Sequence, residues 1–442
     1  MEKDRINFKF REYIRSRLSP TENERRIISK IYHSFQELFS EKCFQIGSFP
    51  RYTAIRPIHD LDILYVIGEW DEESHNPQEV LYGVKKRIEK DYKNPTNFQI
   101  VISLQSHSVT IEFINNSDGV FSIDIVPGYI YDKNEFDQET YKVPEILNFP
   151  HGGIRRDYYE MLKLDNREMP WIISDPRGYI EVAKIINESN SDFRKTVKII
   201  KAWKNSCKDF NEDFKLKSFH IEQIITGFFL EQPSSDIFDG VFKFFFTLPD
   251  WISEPKIKDR ADYSRFIDDY LKDLSIEQKS NIINARDCFL KKLEEFTDND
   301  SIQHLIDACL YDRSSSSEQF MFDFGIPTFL NDDFNFEIGG YLNERDGFPP
   351  KRLPKNGDIN IDRKIDFNIV GKKPHADYFL WKVKNDNKCE EPRGEVTKGH
   401  TRNVPERTKY SGTHFVECYA ILDNICVAKA RQYVRLRYPG QQ

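Results

Sequence analysis

Apolar residues recur at helical spacing along 20–40, where Ile27, Ile28, Ile31, Phe35 and Leu38 mark one face of PTENERRIISKIYHSFQELFS. Thr21 stands before that face as an N-cap with acids soon after it, so the pattern predicts an amphipathic helix. Phe44–Ile46 reads as a short strand entering a Gly47-Ser48 turn, and the run Leu61–Ile67 as a second, largely apolar strand. A helix is expected over 77–92, then strands at 98–103, 107–114 and 120–127, with NNSDG at 115–119 as a hairpin connection. Helix, strand, turn, strand, helix and meander together describe a mixed α/β layer. From about 222 to 310 the pattern turns helical, with apolar helices at IEQIITGFFL, around 235–247, and over 275–296. The small polar run Arg313–Ser317 marks a boundary. Beyond it, short alternating segments between turn residues (335–338, 365–370, 378–383 and 415–422) predict an antiparallel β-sandwich.

Composition adds few restrictions. The 442 residues suffice for two or three domains, and 39% hydrophobic with 31% charged residues describes a globular chain with a polar surface. A formal charge of −8 argues against a globally basic coat, so strong nucleic-acid binding is not expected, although a local basic groove stays open. No stretch reaches the roughly 18–20 apolar residues of a membrane span. The opening MEKDRINFKFREYIRSRL lacks the apolar core of a signal peptide, so a cytoplasmic location is expected. The 7 cysteines are scattered without a C-x-x-C pair, which reads as reduced thiols and gives no support for zinc.

The chemistry concentrates at Gly47–Ile67. Asp60 and Asp62 lie two apart in an apolar strand, so they share one face. Paired carboxylates on such a strand are costly to bury without a cation, and hard oxygen ligands in that arrangement suit Mg²⁺. Taken alone, D-x-D is as compatible with a strand end facing water. A third acid, Asp124, interrupts the apolar strand VFSIDIVP. If the two strands are neighbours, the three carboxylates surround the same cations.

This order of Gly-Ser, an acidic D-x-D strand and a later single-acid strand resembles the nucleotidyltransferase core of polymerase-β-like enzymes. Further residues make it similar to the bacterial cGAS/DncV-like nucleotidyltransferases (CD-NTases, SMODS type). Arg51 and Thr53 follow Gly47-Ser48, Trp171 precedes Asp175-Pro176, and FRKTVKIIKAWKNSCKDFNEDFKLKSFHI spans 193–221. The resemblance implies that Lys201 and Ser218 hold a triphosphate and that Phe219 stacks on a nucleobase, with Gly47, Ser48 and Arg51 shaping the nucleotide site. From the residues alone, Lys201 could lie on a solvated face, Ser218 could cap a helix starting at Phe219, and Phe219 could be core. A second resemblance, carried by Trp381–Asn385, Arg393-Gly394-Glu395 and Glu406–Tyr419, is to the AGS-C sensor domain that accompanies such enzymes. Pro392 departs from that family's pattern, which usually has Leu before Arg-Gly. Arg393, Glu395, Arg407, Tyr410 and His414 could line a ligand surface there or form a structural network.

The expected architecture is therefore α+β. Residues 1–313 would hold a polymerase-β-like nucleotidyltransferase, with a catalytic core at about 20–180 and a helical lobe at about 181–313. Residues 318–442 would hold an AGS-C-like antiparallel β-sandwich. The implied activity is Mg²⁺-dependent joining of nucleotides, using ATP and other NTPs, with two ions (or Mn²⁺) held by Asp60, Asp62 and Asp124. Pyrophosphate would leave. The implied product is a cyclic or short oligonucleotide second messenger in antiphage signalling, read by a downstream effector. Three alternatives share these residues: an enzyme that modifies an RNA or protein end, an RNA-activated polymer-forming enzyme, and a catalytically silent nucleotide sensor.

Overall fold

The computed structural model describes residues 2–58, 60–71, 76–105, 107–115, 118–144, 171–297, 299–309, 311, 313, 315, 317–342, 350–353, 358–398 and 405–438. The chain forms two compact units, Asn7–Lys279 and a second made of Met1–Ile6 with Ser280–Gln442. The helix Ile276–Glu295 runs across the division between them.

The first unit is built on one mixed sheet of strands β1 (Cys43–Ile46), β2 (Asp60–Glu69), β3 (Gln99–Leu104), β4 (Val109–Asn115), β5 (Asp118–Lys133), β6 (Glu139–Pro144) and β7 (Trp171–Ser174). The order is β1-β2-β5-β4-β3, with β6 joined to β5 and β7 to β6. Among the described residues β2 and β5 run parallel and the other pairs antiparallel. In the 115–119 connection, Asn115 pairs with Asp118, and residues 116 and 117 lie outside the described residues.

Two helices cover one face of this sheet. Glu22–Leu38 begins at a capping box in which Thr21 and Glu24 satisfy each other's backbone donors, as the sequence pattern predicts. It brings Ile28, Ile31 and Phe35 down beside Leu81, Val84 and Ile88 of the helix Pro77–Asp91, onto Leu61, Ile63, Ile111, Ile123 and Ile125. The opposite face carries a smaller apolar cluster, Leu64, Val126, Tyr141 and Val143.

A helix over Glu2–Tyr13, followed by a π-helical turn Ile14–Leu18, was not expected from the mean apolarity of that stretch. Its signal is narrower: Ile6, Phe10, Ile14 and Leu18 recur every four residues, and all are buried. Asn7 accepts the Phe238 N–H at 2.9 Å at the start of the helix Ile237–Ser253.

The helices Pro176–Ser189, Asp192–Phe210, Ser218–Glu231 and Ile237–Ser253 complete the first unit. Asp192–Phe210 is at their centre, burying Phe193, Val197, Ile200 and Trp203. The Asp-Pro pair ahead of them has a plain physical role. Asp175 caps the first helix by accepting the Gly178 N–H at 2.8 Å, and Pro176 fills the first helical position, where no N–H is needed. Trp171 packs edge-on against Trp70 and Tyr129.

In the second unit a five-stranded sheet faces a four-stranded one. The first has the order β10-β16-β15-β12-β13 and the second β14-β11-β8-β9. The strands are β8 (Glu337–Leu342), β9 (Lys351–Arg352), β10 (Asp358–Asn360), β11 (Lys364–Val370), β12 (Tyr378–Lys384), β13 (Val396–Thr397), β14 (Glu406–Arg407), β15 (Gly412–Leu422) and β16 (Ile425–Arg437). Ile338, Ile365, Phe367, Trp381, Val416 and Val434 fill the space between the sheets. The predicted sandwich is present, with one short parallel pair, β10 with β16, in an otherwise antiparallel arrangement.

Two details of this unit differ from the sequence reading. Cys288 and Cys309 form a disulfide, so those two of the expected free thiols are paired; the turn after Glu295 brings back a position that spacing alone could not match. Arg313, placed in a loose polar run, pairs with Asp287 and Asp323 at 2.8 and 2.7 Å, while Ser314 and Ser316 lie outside the described residues. Among the described residues no helix is long and apolar enough to cross a membrane.

Asp175 is buried and also accepts from Asn134 and from Arg260 Nε–H, so Asp175→Ala leaves three donors without their acceptor. We expect a loss of about 2–4 kcal/mol in urea unfolding, well beyond that of an exposed cap.

Candidate active site

Alternation along β2 decides what its aspartates face. Leu61, Ile63 and Tyr65 enter the core under the helices, which leaves Asp60 and Asp62 on the other face with Leu64 and Val66. β5 repeats the pattern: Ile123 and Ile125 go to the same core, and Asp124 joins Val126 on the opposite face. The parallel register sets Asp62 directly across from Asp124. Adjacent strands are roughly 4.8 Å apart, so the structure brings all three acids to one patch.

Asp124 is held in place by Thr110, directly opposite on β4, which donates its hydroxyl to Oδ1, and by Gln105 Nε2–H at 3.3 Å. Gly47 lies over Asp62 with φ +72°, and a Cβ there would come 1.9 Å from Asp62 Oδ2. Only glycine allows the turn to approach the carboxylate this closely. The turn closes on itself where Thr53 N–H donates to the Ser48 carbonyl at 3.0 Å.

The pair expected on phosphate is arranged differently from the simplest reading. Lys201 is buried, and its ammonium donates to Glu222 Oε2 at 2.9 Å, to Thr53 Oγ1 at 3.1 Å and to the Thr53 carbonyl at 3.3 Å. All three protons are engaged inside the protein. Arg51 is buried too, donating Nε–H to Glu222 Oε1 at 2.5 Å, with its guanidinium 5.3 Å from the centre of the Phe219 ring. The half-buried Phe219 packs edge-on against Tyr179 at 4.9 Å. Ser218 is the first residue of its helix, whose N-cap is Lys217, so its hydroxyl does not cap the helix.

Glu222 is the residue that sequence reasoning missed. Burial alone would raise its carboxyl, yet Arg51 and Lys201 hold it down at about 2. Its signal was the apolar context, since one acid within SFHIEQIITGFFL needs a cationic partner.

A second omission is a row of cations. Arg194, Lys198, Lys201, Lys204 and Lys208 recur three or four apart on the helix Asp192–Phe210, so they share a face. Burial first, and then neighbouring cations, lower Lys198 and Lys204 to about 8; Lys204 also feels Asp60. Arg194 Nε is buried with no hydrogen-bond partner among the described residues. Positive charge crowded this closely, with donors left over, suits an anion.

Charge also decides whether the acids fit a divalent cation. Asp62 is pushed up to about 7 by burial, then by Asp60 and Asp124, with Arg51 and Lys201 opposing. That patch holds more negative charge than the protein offsets. Among the described residues, no three acid, histidine or cysteine side chains are already gathered into a metal cluster, so the acids stand at strand spacing.

Residues 319–437 match the family described as the Adenylyl/Guanylyl and SMODS C-terminal sensor domain. The sensor-domain resemblance read from the sequence is therefore borne out over the whole sandwich. Solved structures similar to the chain include E. coli MS115-1 CdnC with ATP, at 15% identity and a TM-score of 0.48 over 68% of this chain and 94% of that one. Another is the E. coli MS115-1 CdnC:HORMA-deltaN complex, at 14% identity and a TM-score of 0.46 over 68% and 94%. A third is the Elizabethkingia meningoseptica CdnE cyclic dinucleotide synthase with GTP and Apcpp, at 14% identity and a TM-score of 0.39 over 64% and 95%. No curated protein matches the chain.

Glu222→Gln would leave Arg51 and Lys201 buried without a counter-charge. We expect a loss of about 3–5 kcal/mol in denaturant unfolding. The sign with pH follows from the lowered carboxyl: its contribution is complete above about 4.5 and disappears as pH falls toward about 2. Acid titration of wild type against Glu222→Gln should therefore converge at the low end.

Proposed function

We propose that the first unit is a nucleotidyltransferase that joins nucleoside triphosphates, ATP among them, into a cyclic or short oligonucleotide and releases pyrophosphate. The observation that carries this reading is Asp62 directly across from Asp124 on the parallel strands β2 and β5, with Asp60 on the same face and cations beside them. Acids in excess of their partners suit Mg²⁺, and a row of cations suits a triphosphate, so the two halves of a metal–nucleotide complex each find complementary charge.

Asp60, Asp62 and Asp124 would hold Mg²⁺, which when bound lowers the pKa of an acceptor hydroxyl and neutralises charge on phosphate. Thr110 and Gln105 keep Asp124 aimed at that position. Gly47 lets the turn lie close to the acids, and Ser48 would offer its hydroxyl to phosphate. Lys198, Lys204 and Arg194 would take the phosphate oxygens, with Ser218 at a helix start, where unpaired N–H groups favour anions. Lys201 and Arg51 act by position, fixing the turn through Thr53 and Glu222 and keeping positive potential beside Asp62. Phe219 would border the base. The sensor-domain match supports a product used as a signal, with antiphage defence as the setting that the resemblance implies.

Incubating the chain with Mg²⁺ and the four NTPs should release pyrophosphate and yield a small nucleotide product identifiable by mass spectrometry. Asp62→Asn and Asp124→Asn should each reduce release by at least about a hundredfold, in line with loss of a group stabilising transition-state charge. Unchanged release would sink the assignment, and label appearing on protein or RNA instead would redirect it to end modification.

Lys198→Met and Lys204→Met test the phosphate face separately. Each should raise KM for NTP about tenfold, the equivalent of one charge-assisted contact of about 1.4 kcal/mol, with a smaller effect on kcat.

A further inference from the structure

The sandwich contains a cavity of about 160 Å³ between its two sheets, near the starts of β14 and β15. Its floor is apolar: Ile365 and Phe367 from β11 face Val416 of β15 and Val434 and Leu436 of β16. These residues belong to the core between the sheets, so the cavity continues the core where the sheets leave room. A closed apolar cavity of about 150 Å³ is enough to take up benzene, which sets the size of body that fits here at roughly one ring.

The mouth has the opposite character. Arg393, Arg407 and Lys409 stand around it with Glu391 and Glu406. Their pairing is uneven. Arg393 is shared between Glu395 and Glu406, both at 3.3 Å, and Arg407 reaches Asp362 only at 3.9 Å with its side chain 76% exposed. The Arg407 pair is exposed and long and contributes little, so exchanging it for a ligand anion costs little, whereas Arg393 is half-buried and hydrogen-bonded.

One wall is fixed by a residue expected on the ligand surface. His414 is buried, accepts the Asp386 N–H on Nδ1 at 3.2 Å and places Nε2 3.0 Å from the Tyr410 carbonyl. Both ring nitrogens are engaged with backbone, so His414 shapes the wall, and Tyr410 beside it contributes an aromatic edge to the cavity. Of the residues singled out in this domain, Arg393, Arg407, Tyr410 and His414 all meet at this one cavity.

We propose that this cavity is a binding site for a small organic anion. A single-ring or similarly compact apolar body would enter between the sheets, and a phosphate or carboxylate would remain at the mouth on Arg393, Arg407 and Lys409. Apolar burial supplies the larger part of the affinity, and the cations select the charged end. The site lies wholly within the sandwich and does not depend on the activity proposed for the first unit.

Calorimetry or ligand-detected NMR on the full chain, with phenyl phosphate, benzoate and toluene as probes, tests this directly. At least one anionic probe should saturate with a Kd below about 1 mM and bind about tenfold more tightly than toluene. Preference for phenyl phosphate over benzoate identifies phosphate as the charged end, and the reverse order identifies carboxylate. Arg393→Gln combined with Arg407→Gln, which leaves the apolar core residues unchanged, should weaken the anionic probes at least tenfold and leave toluene unchanged. Val416→Phe should exclude all three. If it lowers the melting temperature, the double arginine variant still decides the matter. Failure of every probe to saturate wild type, or equal anion binding by the double variant, overturns the proposal.

Discussion

The first unit depends on one buried carboxylate. Glu222 carries its charge inside the protein because Arg51 reaches it from the Gly47–Thr53 turn and Lys201 from the helix Asp192–Phe210. Buried ions of this kind persist only when every partner is present. The triad therefore fixes the turn against the helices, and the turn in turn fixes how closely backbone approaches Asp62. Helical and sheet parts of the unit meet through charge at this point, where a purely apolar contact would leave the turn free to slide. The same cations oppose burial and the two neighbouring acids, which together raise the Asp62 carboxyl to about 7.

Much of this architecture was legible because it rests on short-range rules. The capping box at Thr21 and the alternation on β2 and β5 each require only a few neighbouring residues, and both occur where predicted. The N-terminal helix escaped because its stripe is one residue wide, Ile6, Phe10, Ile14 and Leu18, within a segment otherwise polar. The Cys288–Cys309 bond and the ion pairs of Arg313 escaped for another reason. They join residues brought together by the packing of chain segments, on which no local period reports.

The site shows the same division. Asp60 and Asp62 share a face by alternation alone, whereas the match of Asp62 to Asp124 needed a strand register that only tertiary structure supplies. Lys201 stands out from a lysine-rich helix only through the family resemblance, and its partner Glu222 lies on the next helix, so its protons could not be assigned from sequence. The row from Arg194 to Lys208 was countable, since spacings of three and four define a helical face. It escaped because burial, the largest cause of the lowering of Lys198 and Lys204, is invisible in a list of residue types.

The two units arrange their charges in different ways. In the first, burial and then neighbours of like charge raise Asp62 and lower Lys198 and Lys204. Like-charge crowding is relieved when a partner of opposite sign arrives, which is what the proposed metal–triphosphate complex would supply. In the sandwich, cations are paired already, Arg393 by two half-buried hydrogen bonds and Arg407 by a long, exposed pair. Apolar walls below them supply the attraction that the exposed pair lacks. A crowded site favours highly charged ligands and discriminates strongly by charge. An unevenly paired mouth over an apolar floor favours a ligand that is mostly hydrocarbon with one charge, and the difference follows from how each fold partners its charges.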